Sequence, residues 1–282
     1  MHSRFVRLGI FALQYSGCGS SSSNNNSSGS GSCGNAGSVS HWPQGYDRRV
    51  LLSVDSTMSE AQRLGAELSA PTWILAHEQS AARGRRGRAW INPKGNFAAS
   101  LVMRPEAAPD QMALRSFVAA LALRQALEDV VKEQATLGLK WPNDVLLNGG
   151  KVAGILLESV GGLLIIGIGV NLAAAPPAEG VEPGAVRPVS VLGETAVSIE
   201  PEAFLERLAA AFAPLETQLS QQGFAPIRRA WLTHAARLGE EITAKTMRDT
   251  FHGRFETVDE TGNLVLRTAT GTISLPAADV YV

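Results

Sequence analysis

The chain has 282 residues, an apolar fraction of 45% and a formal net charge of −1. That is ample material for a buried core in one large domain or two unequal ones, and the neutral balance argues against a general nucleic-acid binder, which carries a basic domain or face. Both cysteines, Cys18 and Cys33, lie in the N-terminal stretch, which excludes a disulfide framework or thiolate metal site from the folded part, and no apolar run is long enough to span a bilayer.

Residues 1–40 stand apart. Ser16–Ser40 is almost entirely Ser, Gly and Asn, a composition that cannot offset ordering entropy and predicts a flexible tail. Arg4, Arg7 and Leu8–Leu13 have the outline of a signal segment, and Ser16-Gly17-Cys18 is similar to part of a lipoprotein cleavage box. Arg7 interrupts the apolar run that a signal requires, so an upstream extension, a wrong start site or an appended segment is the preferred reading. Val50–Val54 reads as a strand, and Thr57–Glu60 as a capping box with Thr57 as N-cap, opening a helix to about Leu68. Thr72–Glu78 and Asn96–Met103 read as strands. Asp110 caps a long amphipathic helix through Lys132. Val152–Val160 and Leu163–Asn171 are apolar strands joined by Gly161-Gly162, a hairpin pattern. A Pro/Gly-rich loop covers Ala174–Pro188, and Pro201–Gln222 and Pro226–Ala236 look helical, each with proline near its start. After Arg237 short β-like runs alternate with turns: Glu241–Ala244, Phe251–Val258, Asn263–Arg267 and Thr272–Leu275.

Two segments carry chemistry. The first, Gln79–Trp90, places Arg83, Arg85, Arg86 and Arg88 around Gly84 and Gly87. Guanidinium groups clamp carboxylates and phosphates with paired hydrogen bonds, and glycines let a backbone approach a ligand closely. The loop therefore suits a small polyanion; a solvated basic loop or an arginine-rich RNA contact are its other readings. The second, Lys140–Lys151, reads KWPNDVLLNGGK. It sets Lys151 on a glycine turn before an apolar strand, where a point charge near a partly desolvated site gains strength. No phosphate-binding G-x-x-x-x-G-K-[ST] pattern occurs.

Together these segments resemble the biotin protein ligase family, whose signatures GRGRRGR-x-W and KWPND with a glycine-flanked lysine stand here as Ala82–Trp90 and Lys140–Leu156. Val54-Asp55-Ser56-Thr57 and Gly167–Asn171 add to the likeness, which runs from about His41 to the C-terminus. It is to the ligase-only form, without a DNA-binding domain. The resemblance implies an α+β, class II synthetase-like catalytic domain over 41–236, a mixed β-sheet with packed helices, and a small C-terminal β-barrel over 237–282. It implies an ATP-dependent, AMP-forming ligase that makes biotinyl-5′-AMP and then biotinylates a lysine of the biotin carboxyl carrier protein of a carboxylase. Biotin and ATP are substrates, with Mg²⁺. The expected setting is cytoplasmic, as monomer or homodimer, with no nucleic acid or membrane as partner.

Site residues follow from the matched motif positions. The resemblance gives Lys151, Arg85 and Asp144 catalytic roles, with Asp144 orienting Mg²⁺ or the incoming amine. It assigns biotin to Ser56, Thr57, Gln79, Ala82, Arg83, Arg85, Lys151, Gly154 and Ile155. It assigns ATP to Arg83, Arg85, Arg86, Arg88, Trp90, Lys140, Asn143, Lys151 and Asn171, the last as an adenine contact. Because the adenylate hydrolyses in water, the arginine loop is expected to order over it. Two positions depart from the pattern: Ala82 replaces a glycine and Met58 an asparagine. If residue 82 needs positive φ, its methyl crowds the loop and weakens biotin binding. Competing readings are a lipoate or octanoyl ligase of related fold, a biotin-binding ligase-like protein with weak turnover, and an RNA-binding module.

Overall fold

The apolar runs of the first two-thirds of the chain gather into one seven-stranded sheet. The computed structural model describes residues 42–177 and 185–281; the Ser/Gly/Asn tail with its signal-like outline, both cysteines and the middle of the Pro/Gly loop lie outside the described residues. In chain order the sheet takes β1 (Asp47–Val54), β2 (Thr72–Gln79), β3 (Phe97–Met103), β4 (Leu137–Lys140), β5 (Asp144–Leu147), β6 (Gly150–Val160) and β7 (Leu163–Val170). Their spatial order is β1-β2-β3-β7-β6-β5-β4, with β1 and β2 parallel and the other neighbours antiparallel. The β6–β7 hairpin closes at Val160 and Leu163 over two glycines of positive φ, as the Gly-Gly signal requires.

The pleat sends alternate residues to opposite faces. Ile74 and Val102 join a small cluster beneath α1 (Thr57–Leu64), with Met58, Ala61 and Ile165. Trp73, Leu75, Phe97, Ala99 and Leu101 point the other way, into the main core. There α2 (Pro109–Ala113), α3 (Arg115–Val131), α4 (Val191–Thr195), α5 (Pro201–Gln222) and α6 (Phe224–Leu232) contribute buried side chains.

Some helix boundaries differ from expectation. Ser56, not Thr57, is the N-cap of α1, and its side chain makes no capping bond. Thr57 is instead engaged by the sheet, and Glu60 pairs with Arg63. The helix forecast from Asp110 is two: α2 begins after Ala108, and α3 restarts past Leu114.

The C-terminal runs form β8 (Glu241–Lys245), β9 (Thr250–Val258), β10 (Leu264–Thr268), β11 (Gly271–Leu275) and β12 (Asp279–Tyr281). Their order, β11-β10-β9-β8-β12, leaves β11 and β12 at opposite edges. The expected barrel is therefore an open five-stranded sheet. The three-residue β12 has too few backbone groups to close it, and its side chains line a cavity beside the large sheet. One core runs through both sheets, because Ile242, Phe255, Val258, Leu264 and Leu266 belong to the same buried cluster as the large sheet. Trp141 Nε1 donates to the Gly262 carbonyl at 3.0 Å and fixes the junction.

Candidate active site

A cavity of about 270 Å³ opens on the α1 side of the large sheet. Its floor is β6 and β7, where Gly154 pairs with Gly169 and Leu156 with Gly167. These glycines leave room for large neighbours. A Cβ on Gly169 would lie 2.5 Å from the Trp90 ring, and one on Gly167 2.6 Å from Met58 Sδ. Trp90 thus lies along a lane free of side chains, while Met58 closes the other end.

A β-bulge sets the charges. In a regular strand Lys151 and Gly154, three residues apart, would face opposite ways. The register between β5 and β6 shifts at Val145/Leu146, so that Asp144 faces Gly154 and Leu146 faces Lys151, with Val152 as the extra residue. This puts Lys151 on the face of Asp144 and Gly154, a re-aiming typical of bulges near functional sites. Lys151 Nζ lies 2.7 Å from Asp144 Oδ1, and Lys140 Nζ, across the β4–β5 hairpin, 3.6 Å from Oδ2. Burial pulls the Lys140 ammonium below its usual pKa, opposed by Asp144. Both oxygens of Asp144 thus face ammonium groups. Asn143 binds the Ile155 carbonyl through Nδ2 at 2.7 Å and accepts from Arg85 at 3.3 Å.

The arginine loop forms the lid. A turn at Arg85–Gly87 gives Arg86 a φ of 57° and Gly87 one of 72°. Ala82 is not among the positive-φ residues, so the crowding expected of its methyl is absent. Arg83 is anchored twice, donating to both oxygens of Glu158 at 3.2 and 2.8 Å and to Ser59 Oγ at 3.0 Å. The bond to Glu158 raises the Arg83 pKa. Arg85 is more buried, and burial lowers its pKa; a guanidinium nevertheless stays charged.

The far end is neutral. Thr57 N–H donates to Gln79 Oε1 at 2.8 Å, and Ser100 Oγ donates to Thr57 Oγ1 at 2.8 Å. Accepting from Ser100 leaves the Thr57 hydroxyl hydrogen for a ligand. Ser56 is buried beside them.

Of the residues singled out from sequence, Ser56, Thr57, Gln79, Ala82, Arg83, Arg85, Arg88, Trp90, Lys140, Asn143, Asp144, Lys151, Gly154 and Ile155 all line this cavity. Arg86 and Asn171 are not among its lining residues. The left-handed backbone turns Arg86 onto Asp279, at 2.7 Å. Asn171 Nδ2 donates to the Val189 carbonyl at 2.9 Å, clamping the segment that follows the Pro/Gly loop. Its Oδ1 finds no hydrogen bond among the described residues. Among the described residues no three His, Cys, Asp or Glu side chains cluster to hold a metal.

Sequence reasoning missed Ser100, Glu158 and the β12 residues Asp279, Val280 and Tyr281. A serine inside the otherwise apolar run FAASLVM was a usable signal for Ser100. Nothing local marks Asp279 as a neighbour of a loop nearly two hundred residues upstream.

The Biotin/lipoate A/B protein ligase family matches residues 50–172, and the Biotin protein ligase C terminal domain matches residues 238–282. The chain is 55% identical over 237 residues to a biotin–[acetyl-CoA-carboxylase] ligase from Paracoccus denitrificans, covering 82% of this chain and 99% of that one. The chain belongs to the biotin protein ligase family. It is also 31% identical to the bifunctional ligase/repressor of Bacillus subtilis, over 81% of this chain and 73% of that protein. The fold is shared with the biotin protein ligase from Aquifex aeolicus solved with biotin and ATP, at a TM-score of 0.74 and 24% identity, over 83% of this chain and 97% of that one. Among the described residues no helix is long and apolar enough to cross a membrane.

Proposed function

We propose that this chain activates biotin with ATP and transfers the biotinyl group to a lysine on the biotin carboxyl carrier domain of an acetyl-CoA carboxylase. The observation that carries the reading is one cavity with a neutral hydrogen-bonding end and a cationic end, met at Lys151 and Arg85. A ureido ring offers one carbonyl acceptor and two N–H donors. The Thr57 hydroxyl, Gln79 and Ser56 match such a ring, and Ser100 orients Thr57. That polar end also favours biotin over a lipoyl or octanoyl chain, which would leave these buried groups unpaired.

In the first step a biotin carboxylate oxygen attacks the α-phosphorus of ATP. The bond to the β-phosphate oxygen breaks and pyrophosphate leaves. Two anions must be brought together, so fixed cations do the work by position and charge. Lys151 and Arg85 stand where carboxylate and α-phosphate meet. Asp144 positions Lys151, and Asn143 positions Arg85. Arg83 is the loop's anchor, and Trp90 supplies an apolar face for the nucleotide. A divalent ion belongs to this reaction as part of the nucleotide substrate, because magnesium is commonly held by phosphates and few carboxylates. In the second step the carrier amine attacks the acyl carbon. AMP departs with the electron pair, and the amine loses a proton. Dependence on ATP gives this reading a cytoplasmic setting.

The test is to incubate the protein with ATP, Mg²⁺, biotin and a biotin carboxyl carrier domain and weigh the carrier. A biotin-sized gain that vanishes with Lys151→Ala is expected. No gain, or one that survives the substitution, overturns the reading.

A further inference from the structure

Three of the four loop arginines converge on one carboxylate from the other sheet. Arg86 Nη1 lies 2.7 Å from Asp279 Oδ2, Arg88 Nη2 3.6 Å from the same oxygen, and Arg85 Nη1 3.4 Å from Oδ1. Asp279 opens β12, and its side chain is 17% exposed, less than any of its three partners. The arrangement resembles an anion held in a guanidinium cage, with a carboxylate in the anion's place.

We propose that Asp279 is a built-in counter-anion for the arginine loop, holding it over the cavity in the free protein and competing with the phosphates of the incoming nucleotide. The inference rests on the phosphate reading of the loop and extends it to the C-terminal sheet. The contacts with Asp279 are charge contacts rather than hydrogen bonds, since Asp279 Oδ2 has no hydrogen-bond partner among the described residues, so the carboxylate and a phosphate compete for the same positive charge. The charges explain the direction of the effect. With Asp279 in place the three guanidiniums carry a net surplus of two positive charges; without it, three. A phosphate chain would therefore bind more tightly when the carboxylate is gone. The arginines are 27 to 50% exposed, so solvent screens each pair and each contributes only modestly. Several such pairs change affinity by roughly three- to thirtyfold. What Asp279 supplies in return is a shielded loop while no ligand is bound, and an exchange of one anion for another when the triphosphate arrives. Through β12 the loop is also tied to the second sheet, so release of Asp279 would report nucleotide binding to the C-terminal end of the chain.

The test compares the full-length protein with Asp279→Asn, which keeps size and removes charge, and with Asp279→Ala. Calorimetry with inorganic tripolyphosphate reads the anion site without biotin chemistry. Amide exchange of residues 82–90 reads the loop. The expected result is three- to thirtyfold tighter tripolyphosphate binding in both variants, with faster loop exchange in the free variants and equal protection once the anion is bound. Unchanged or weaker binding in Asp279→Asn overturns the proposal, as does loop exchange that stays fast in the bound state, which marks structural damage. If neither parent nor variant binds tripolyphosphate, the phosphate reading of the loop falls and takes the proposal with it.

Discussion

The two ends of the cavity are built differently. The neutral end stands on regular structure: Thr57 on the first turn of α1, Gln79 at the end of β2 and Ser100 in mid-β3, linked by hydrogen bonds, with Thr57 and Ser100 buried. The cationic end relies on a loop with two positive-φ residues, on arginines held by other chain segments, and on a bulged strand. A neutral ring is recognised by matched donors and acceptors whose positions must be fixed in advance. An anion is recognised mainly by charge, which acts over a longer range and tolerates rearrangement. The neutral end can therefore be rigid, while the cationic end can close on its ligand. Substitutions at the two ends should fail in different ways.

The largest effect should come at their junction. Lys151→Ala is expected to slow adenylate formation by ~10²–10³-fold, the usual cost of removing one preorganised charge, with biotin still bound. Single-turnover pyrophosphate release measures the step, and a rate within a few-fold of the parent would remove Lys151 from the chemistry. Next is Arg85→Ala. Losing a charged hydrogen bond costs about 1.5–3 kcal/mol, so the adenylate should escape ~10- to 100-fold faster in a trap assay. Equal release rates would mean the loop does not retain the intermediate.

The same contrast decides how much of the molecule could be read from sequence. Apolar, β-prone runs located β2, β3, β6 and β7, and prolines marked α5 at its observed start, because those signals are local. The strands β4 and β5 escaped, being four residues each and embedded in a motif read for its chemistry. The bulge at Val152 is invisible locally: only pairing with β5 reveals why Lys151 and Gly154 share a face. Fourteen of the sixteen site residues chosen from the motifs line the cavity, while Arg86 and Asn171 do not. The loop's partners, Glu158 and Asp279, were not legible, since they are brought to it only by the sheet and the C-terminal strand. The C-terminal runs were found, but whether they close depends on the length and partner of β12, which composition does not encode.

At the neutral end, Thr57→Val should weaken biotin binding by about 1–2 kcal/mol, leaving a buried ligand acceptor and Ser100 without their partner. The KM for biotin should rise about tenfold while the KM for ATP holds. Equal rises in both would mean that the two ends are not separable, and the contrast between them would break.

The smallest effect is expected at Ala82, and it discriminates between two accounts of the loop. If residue 82 needed a left-handed backbone, glycine would relieve strain and tighten biotin. The positive φ values lie instead at Arg86 and Gly87, and the Trp90 N–H donates to the Ala82 carbonyl at 3.0 Å, closing the base of the loop with an ordinary hydrogen bond. A methyl on a residue without positive φ carries no such penalty. Ala82→Gly should leave the Kd for biotin unchanged, and should lower stability by about 0.4–1 kcal/mol because glycine adds freedom to the unfolded chain. Calorimetry and urea unfolding measure the two quantities. A tighter Kd would put strain back at the base of the loop, and with it the idea that the cationic end is held under tension rather than by counter-ions.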